Sequence, residues 1–301
     1  MDERFCDLGD VTLCYETFGD ADKPAVLLIM GLGTQMIAWH EDFCGQLADR
    51  GFHVIRFDNR DVGHSTSLDH AKPPTRGEII RRRPKAAAYD LSDMAADAAG
   101  LLDHLEIDAA HVVGASMGGM IAQILAAEHP DRVLSLVSIM SNTGSMWNGQ
   151  PALRLYPFLL RPPPREREQY LDAMVLLFNA IGSSGYERDE KELRELAGVM
   201  FDRGINHHGT ERQLAAILSS GDRTAALKRI KAPTLVIHGK SDRLVRHSGG
   251  RATAKAIPGA RLELIDGMGH DLPRQVWDRI TDGIADNAAR ADERRVAQTA
   301  G

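Results

Sequence analysis

The sequence predicts an α/β fold, with a mainly parallel sheet of about eight strands flanked by helices and a helical segment inserted before the last two strands. Three observations predict it. Short apolar runs alternate with longer amphipathic stretches from end to end. The runs are bounded by Gly, Pro, Asp or Asn, which is how buried strands of a parallel sheet read. The alternation breaks once, from about residue 141 to residue 229, and then resumes.

In chain order, VTLCYETF (11–18) alternates like an edge or half-exposed strand, and AVLLIM (25–30) and HVIRFD (53–58) read as buried strands. IAWHEDFCGQLADRG is a helical pattern that ends on Gly51 at the position of a C-terminal cap. DLSDMAADAAGLLDHLEI places Leu91, Met94, Ala98, Leu101, Leu102 and Leu105 on one stripe, as a helix lying on a core does. AHVVG (110–114) is a strand, MGGMIAQILAAEHP a helix stopped by Pro130, and VLSLVSI (133–139) the strand after it. PTLVIHG (233–239) and RLELID (261–266) complete the sheet. The last helix, PRQVWDRITDGIADNAA, starts with Pro273 at a favoured first position. The polar tail after about residue 289 is expected to fray.

Residues 141–229 carry two helical patterns, RPPPREREQYLDAMVLLFNAIG and KELRELAGVMFDRG, with no strand between them. The expected organisation is a core of residues 1–140 and 230–301 and a helical cap of residues 141–229, entered through a stiff Pro162-Pro163-Pro164 elbow. An insertion that follows strand ends is suited to act as a lid.

A chain of 301 residues can bury a sizeable core, and 43% apolar with 26% charged residues is ordinary for a globular protein. The net charge of −6 is spread over both halves, which argues against a nucleic-acid partner. The densest basic run, Arg81-Arg82-Arg83, is too short for a nucleic-acid footprint and reads as a solvated loop or a local ion pair. The cysteines Cys6, Cys14 and Cys44 are odd in number and form no C-x-x-C pair, so neither a disulfide framework nor a zinc site is indicated. The start is charged, and no apolar stretch approaches the ~20 residues that span a bilayer. The expectation is a soluble cytoplasmic protein, with monomer or homodimer left open.

The chemistry centres on Gly114-Ala115-Ser116-Met117-Gly118, which fits G-x-S-x-G with a strand before it and a helix after it. In that setting the serine sits on a strained turn at the carboxyl end of a strand, and the glycines avoid collisions. The Met117 N–H opens the helix and can face a developing oxyanion.

A serine hydroxyl needs a base. Of the twelve histidines, His53, His111 and His238 lie in strand patterns and read as packed or surface residues. His104 and His129 sit on helices, and His207-His208 lack a metal-motif spacing. His270 follows the last strand in a glycine-punctuated loop, at the sheet edge where Ser116 also lies, because parallel strands all end on one side. The imidazole needs a carboxylate to fix its tautomer. Asp242, just after the preceding strand in LVIHGKSDRLV, is preferred over Asp266, which closes a strand. The order Ser116, Asp242, His270 is the chain order of one particular scaffold.

With those residues in view, the chain resembles the α/β-hydrolase-fold serine hydrolases over nearly all its length, most weakly across the insertion. MGLGTQ (30–35) stands where that family carries its H-G-x oxyanion loop, and FDNRDVGHS (57–65) resembles its D-x-R-G-x-G-x-S turn. HGKSD and GMGH match the acid and histidine loops. Within the family, the M-G-x-G loop, DNRDVG and GMGH look like bacterial esterases related to the methylesterases that tailor aromatic polyketides. By position in the motif, Leu32 would supply the second oxyanion N–H beside Met117. Two departures stand out. Met30 replaces the usual histidine, so a polar prop behind the oxyanion loop is missing, and Asp61 replaces a glycine and offers a carboxylate to Arg60 or another basic residue.

The resemblance implies ester hydrolysis through an acyl-enzyme, without metal or organic cofactor, on small to medium apolar esters. Activity should rise with pH as the base loses its proton. Metal-free peroxidation or perhydrolysis, thioesters and phospholipids remain open on the same residues. Gly31, Met146, Trp147 and Phe178 are expected in the substrate pocket, with Phe158, Leu176, Leu177 and Met200 as further candidates. Two readings of other classes compete. Gly31-Leu32-Gly33 after a strand, with Asp58 closing the next strand 27 residues beyond Gly31, imitates a dinucleotide fingerprint, but Met36 occupies the third glycine position. The fold can also serve as a non-catalytic receptor for a small molecule.

Overall fold

The computed structural model describes residues 2–82, 84, 87–155 and 164–299. Eight strands form one sheet: β1 (Arg4–Asp7), β2 (Thr12–Phe18), β3 (Ala25–Ile29), β4 (His53–Phe57), β5 (Ala110–Ala115), β6 (Val133–Ile139), β7 (Thr234–Gly239) and β8 (Arg261–Ile265), in the order β1-β2-β4-β3-β5-β6-β7-β8. Strand β2 runs antiparallel to both its neighbours, and the pairings from β4 to β8 are parallel. The central strands β3, β4, β5 and β7 are buried at every position, because helices cover both faces.

Among the described residues the helices are α1 (Glu41–Asp49), α2 (Arg76–Arg81), α3 (Leu91–His104), α4 (Met117–Glu128), α5 (Arg167–Ile181), α6 (Glu190–Asp202), α7 (His207–Ser220), α8 (Thr224–Leu227), α9 (Ser248–Ala256) and α10 (Trp277–Thr299). The period-2 alternation of β3 sorts the two cores. Leu27 and Ile29 pack with Leu101 and Leu102 of α3 and Ile121 and Leu125 of α4. Val26 and Leu28 pack on the other face with Phe43 and Leu47 of α1 and Ile280 and Ile284 of α10. Helices α5 to α8 all fall between β6 and β7, within the span expected to form the cap.

Three sequence expectations need correction. The start is a strand, β1, whose short edge pattern buries only Cys6 and carries no periodicity to read. The helix expected from Ile37 breaks into a 3₁₀ turn, Met36–Ala38, and α1, with His40 capping α1 through Nδ1. The basic run ends a helix, α2, with Arg82 in the left-handed cap position, and Arg83 lies outside the described residues. Beyond these, α10 runs through Thr299: Ala288 and Ala291 extend the stripe of Ile280 and Ile284, and Arg294 Nη1 donates to Lys231 O at 3.4 Å. Pro162 and Pro163 of the elbow also lie outside the described residues.

All three cysteines are buried as free thiols. Burial and nearby carboxylates push Cys6 up to about 11 and Cys14 up further, and burial pushes Cys44 up to about 12. A thiol whose pKa is raised holds little thiolate at neutral pH, and the thiolate is the nucleophile. Native protein at pH 7.5 is therefore expected to resist iodoacetamide, with three carbamidomethyl groups appearing only in denaturant, as intact-mass spectrometry would measure. Rapid alkylation of the folded protein would contradict this.

Candidate active site

Ser116 is the single residue between β5 and α4, at φ 55°, ψ −117°. A non-glycine residue held there costs on the order of 1–3 kcal/mol, which its surroundings must offset. Its N–H donates to Ile139 O at 2.9 Å, fixing the turn against β6. The flanking glycines are required by close approach. A Cβ on Gly114 would lie 2.1 Å from Gly118 O, and one on Gly118 would lie 2.1 Å from Ile29 O. Met117 is the first residue of α4, so its N–H has no intrahelical acceptor and lies at the positive end of the helix dipole.

His270 stands in the loop after β8, with Nε2 3.0 Å from Ser116 Oγ and Nδ1 2.7 Å from Asp242 Oδ2. The carboxylate accepts at Nδ1, so Nε2 is left free to accept from the hydroxyl. Asp242, after β7, is buried, and its Oδ1 accepts from Leu244 N at 2.9 Å and Val245 N at 2.8 Å. Burial works to raise the Asp242 pKa, but the charge of His270 and hydrogen bonds from His238 and His270 hold it below the ordinary carboxylate value. Asp266 points into solvent and pairs with Lys240 Nζ at 2.7 Å.

His238 is fully buried behind Asp242. Its Nε2 lies 2.7 Å from Val245 O and 3.4 Å from Asp242 Oδ2. A Cβ on Gly250 would sit 2.5 Å from its Nδ1, so glycine leaves room for the ring. Its place in a strand pattern gave no sign of this contact.

The 30–35 loop lies directly against Ser116: a Cβ on Gly31 would be 3.1 Å from Ser116 Cβ. Thr34 N closes the turn on Gly31 O at 3.2 Å, with Gly33 at φ +62°. Asp58 braces its far side, accepting from Met36 N at 2.7 Å, His64 N at 3.0 Å and Arg203 Nη2 at 2.9 Å. The carboxylate that a dinucleotide site would turn to a ribose is thus engaged within the protein. Asp61, at φ +70°, pairs with Arg212 of α7 rather than with Arg60, which pairs with Asp97. Asp61 accepts from Arg212 Nε at 2.8 Å, from Arg212 Nη2 at 2.6 Å and from Tyr89 Oη at 2.8 Å.

The segment between α5 and α6 grips the histidine loop. His270 N donates to Ile181 O at 2.9 Å, Gly269 N to Ser183 Oγ at 2.9 Å, and Ser184 N and Gly185 N to Gly267 O at 3.0 Å. Ser183 in turn donates to Asp271. A Cβ on Gly269 would lie 2.2 Å from Gly182 C, so this contact is backbone on backbone.

Of the residues expected in the pocket, Gly31 lies beside Ser116 and Phe178 is half-buried on α5. Met146 and Trp147 are 67% and 92% exposed and form no enclosed wall. The reason is local. Gly144 packs against Gly221, Gly149 N is tied to Ser248 Oγ, and of the residues between them Met146 and Trp147 face solvent. Met200 is buried with Cys14, Met36 and Ile37, a core contact between α6 and the sheet. Leu176 is exposed and Leu177 half-buried, while Phe158 lies outside the described residues. Glu3, Cys14 and His64 could bring metal-ligand atoms within 4.8 Å of one another, but Glu3 already pairs with His64 and with Arg203, whose guanidinium opposes a cation. Among the described residues no helix is long and apolar enough to cross a membrane.

A family profile described as alpha/beta hydrolase fold matches residues 24–273. The chain is 30% identical to the rhodomycin D methylesterase of Streptomyces peucetius, covering 94% of this chain and 97% of that protein. It is 29% identical to 3-oxoadipate enol-lactonase 2 of Acinetobacter baylyi, covering 85% of this chain and 86% of that protein. Among solved structures, the enol-lactonase of Burkholderia xenovorans superposes with a TM-score of 0.75 at 24% identity, over 95% of this chain and 100% of that one.

Proposed function

The chain belongs to the α/β-hydrolase fold family, and from that premise we propose that it is a carboxylic ester hydrolase in which Ser116 is the nucleophile, His270 the base and then the acid, and Asp242 the group that orients His270. Ser116 Oγ attacks the ester carbonyl as His270 Nε2 takes its proton, and the carbonyl oxygen becomes an oxyanion facing the Leu32 and Met117 N–H groups. The tetrahedral intermediate collapses, the C–O bond to the alcohol breaks, and His270 returns the proton to the leaving oxygen. Water, deprotonated by the same Nε2, then attacks the acyl-serine, the C–Oγ bond breaks, and His270 returns the proton to Ser116 Oγ as the acid leaves. Asp242 stays ionised and stabilises the imidazolium. The observation that carries this reading is the unbroken hydrogen-bond chain from Ser116 Oγ through His270 to Asp242 at the foot of a strained turn.

Two of the relatives are named as a methylesterase and an enol-lactonase, and the ester carbonyl of a methyl ester or an enol lactone is open to the attack described here. Residues 141–229 form the cap over this site in the proposed organisation. An apolar pocket separates neighbouring chain lengths by only about 1–3 kcal/mol per methylene, so a range of carboxylic esters is expected to turn over. The test is a panel of methyl esters, p-nitrophenyl butyrate and hexanoate, lactones, thioesters, phospholipids and amides, run beside labelling with a fluorophosphonate. The expected outcome is one label per chain, carried on the Ser116 peptide, with esters hydrolysed faster than amides. An unlabelled chain would overturn the nucleophile, and amide turnover above every ester would overturn the substrate class.

A further inference from the structure

The sequence leaves the oxyanion loop without the family's histidine prop, since Met30 stands there. We infer that Gln213, on helix α7 of the insertion, is a positioning residue that supplies the missing support by fixing the Leu32–Gly33 peptide, which adjoins the Gly31–Leu32 peptide carrying the Leu32 N–H. This rests on the acyl-transfer reading above, in which the Leu32 N–H faces the oxyanion.

Gln213 is fully buried and uses both ends of its amide. Oε1 accepts the Gly33 N–H at 2.7 Å, and Nε2 donates to Arg60 O at 2.8 Å. The peptide joining Leu32 to Gly33 is thereby held at both poles, because Leu32 O accepts from Thr34 Oγ1 at 3.1 Å. The two preceding peptides are held through their carbonyls: Met30 O accepts from Asn59 Nδ2 at 3.0 Å, and Gly31 O from Thr34 N at 3.2 Å. Pinning the Gly31 carbonyl turns the N–H of the same trans peptide, that of Leu32, the opposite way. Gln213 is the part of this frame that comes from the insertion, 180 residues away in the chain.

Helix α7 also leaves the loop no room to drift toward it. A Cβ on Gly33 would meet Thr210 Oγ1 at 2.6 Å. The neighbouring Arg212 anchors the same helix to Asp61 in the core, so the amide of Gln213 is presented from a fixed base. Oxyanion stabilisation depends on donors placed before the charge appears, so a loosened loop loses rate rather than substrate affinity.

The test compares Gln213→Met, which keeps the volume and removes both hydrogen bonds, with Gln213→Asn, which keeps an amide but shortens its reach. Both are measured for kcat and KM on p-nitrophenyl butyrate, for thermal unfolding, and for Kd toward phenylboronic acid, whose tetrahedral adduct on Ser116 places an oxygen in the oxyanion hole. Removing an oxyanion donor outright costs about 10²–10³ in kcat, and misplacing one is expected to cost roughly 10- to 100-fold. KM should move less than about threefold, and the boronate Kd should rise by the factor lost in kcat/KM. A purely structural role would lower the melting temperature and the active fraction without changing kcat per labelled serine or the boronate Kd. Folded variants with kcat and boronate affinity within about twofold of wild type would overturn the inference, as would a loss confined to KM. Should Gln213→Met fail to fold, Gln213→Asn is read by the same criteria. Wild-type protein that is neither labelled nor active would instead overturn the acyl-transfer reading itself.

Discussion

Replacing Ser116 by alanine is expected to lower kcat toward p-nitrophenyl butyrate by about 10⁴- to 10⁶-fold. The alternative nucleophile is a water held by His270, and it lacks the entropic advantage of a hydroxyl 3.0 Å from the base. His270→Ala should fall as far, because an unassisted serine hydroxyl is a poor nucleophile. Asp242→Asn is expected to lose about 10⁴-fold, since the amide can donate to Nδ1 and favour the wrong tautomer. The three act as one unit, so a Ser116→Ala, His270→Ala double variant should be hardly slower than either single one. Stopped-flow and long-time assays at protein concentrations matched by absorbance would measure these losses. A Ser116→Ala enzyme that kept a tenth of wild-type activity would place the nucleophile elsewhere, and an unaffected Asp242→Asn would return the role to Asp266.

The second large effect is on stability, at the contact between α7 and the 57–65 turn. Arg212 and Asp61 have side chains that are 2% and 0% exposed and share two hydrogen bonds. Removing one member of a buried pair leaves an uncompensated charge and costs about 3–5 kcal/mol. Arg212→Leu is therefore expected to lower the melting temperature by roughly 10 °C. Burial and Asp61 also push the Tyr89 phenol up, so it remains a donor to the carboxylate and adds to what is lost. Asp61→Gly relieves a positive φ but strands Arg212, so it should destabilise as well. The double variant Asp61→Gly, Arg212→Leu should recover most of the loss, because replacing a whole buried pair is often close to neutral. Differential scanning calorimetry on the four proteins closes the cycle. If Arg212→Leu melts within 2 °C of wild type, with roughly 2–4 °C per kcal/mol expected, the pair is not a structural tie.

The sheet was legible in the sequence because a buried parallel strand leaves a short apolar run between turn residues, and seven of those runs are strands of the structure. That Ser116, Asp242 and His270 would meet was legible for a related reason: parallel strands deliver their following loops to one edge. What stayed hidden was polar. Helix α7 buries Arg212 and Gln213 beside Ala215 and Ala216, so its inward face shows no apolar stripe and no periodicity to detect. Edge strand β1 is too short and exposed for its pattern to stand out. Asp61 was marked as a departure from the glycine of the motif, but its partner could not be read, because Arg212 lies 151 residues away. His238 was hidden by its own strand: nothing in a buried β pattern tells a packed imidazole from one that touches Asp242. Trp147, conversely, reads as apolar and stands almost wholly in solvent.

The grip of the insertion on both flanks of Ser116 has a consequence for when a folding chain becomes active. Gly269 meets Ser183 across 86 residues of chain and Gly33 meets Gln213 across 180. Neither contact belongs to the sheet ladder, which joins β6 to β7 directly across the insertion, so all eight strands can be paired while the inserted helices are undocked. A chain whose sheet is complete but whose inserted helices have not yet docked has its serine in place, with a wandering imidazole and an unbraced turn. Such a chain is expected to react slowly with fluorophosphonate, as is a native molecule during a local opening of that layer. A fluorophosphonate titre of this protein therefore counts finished molecules, and during refolding it should trail the far-ultraviolet signal of the sheet.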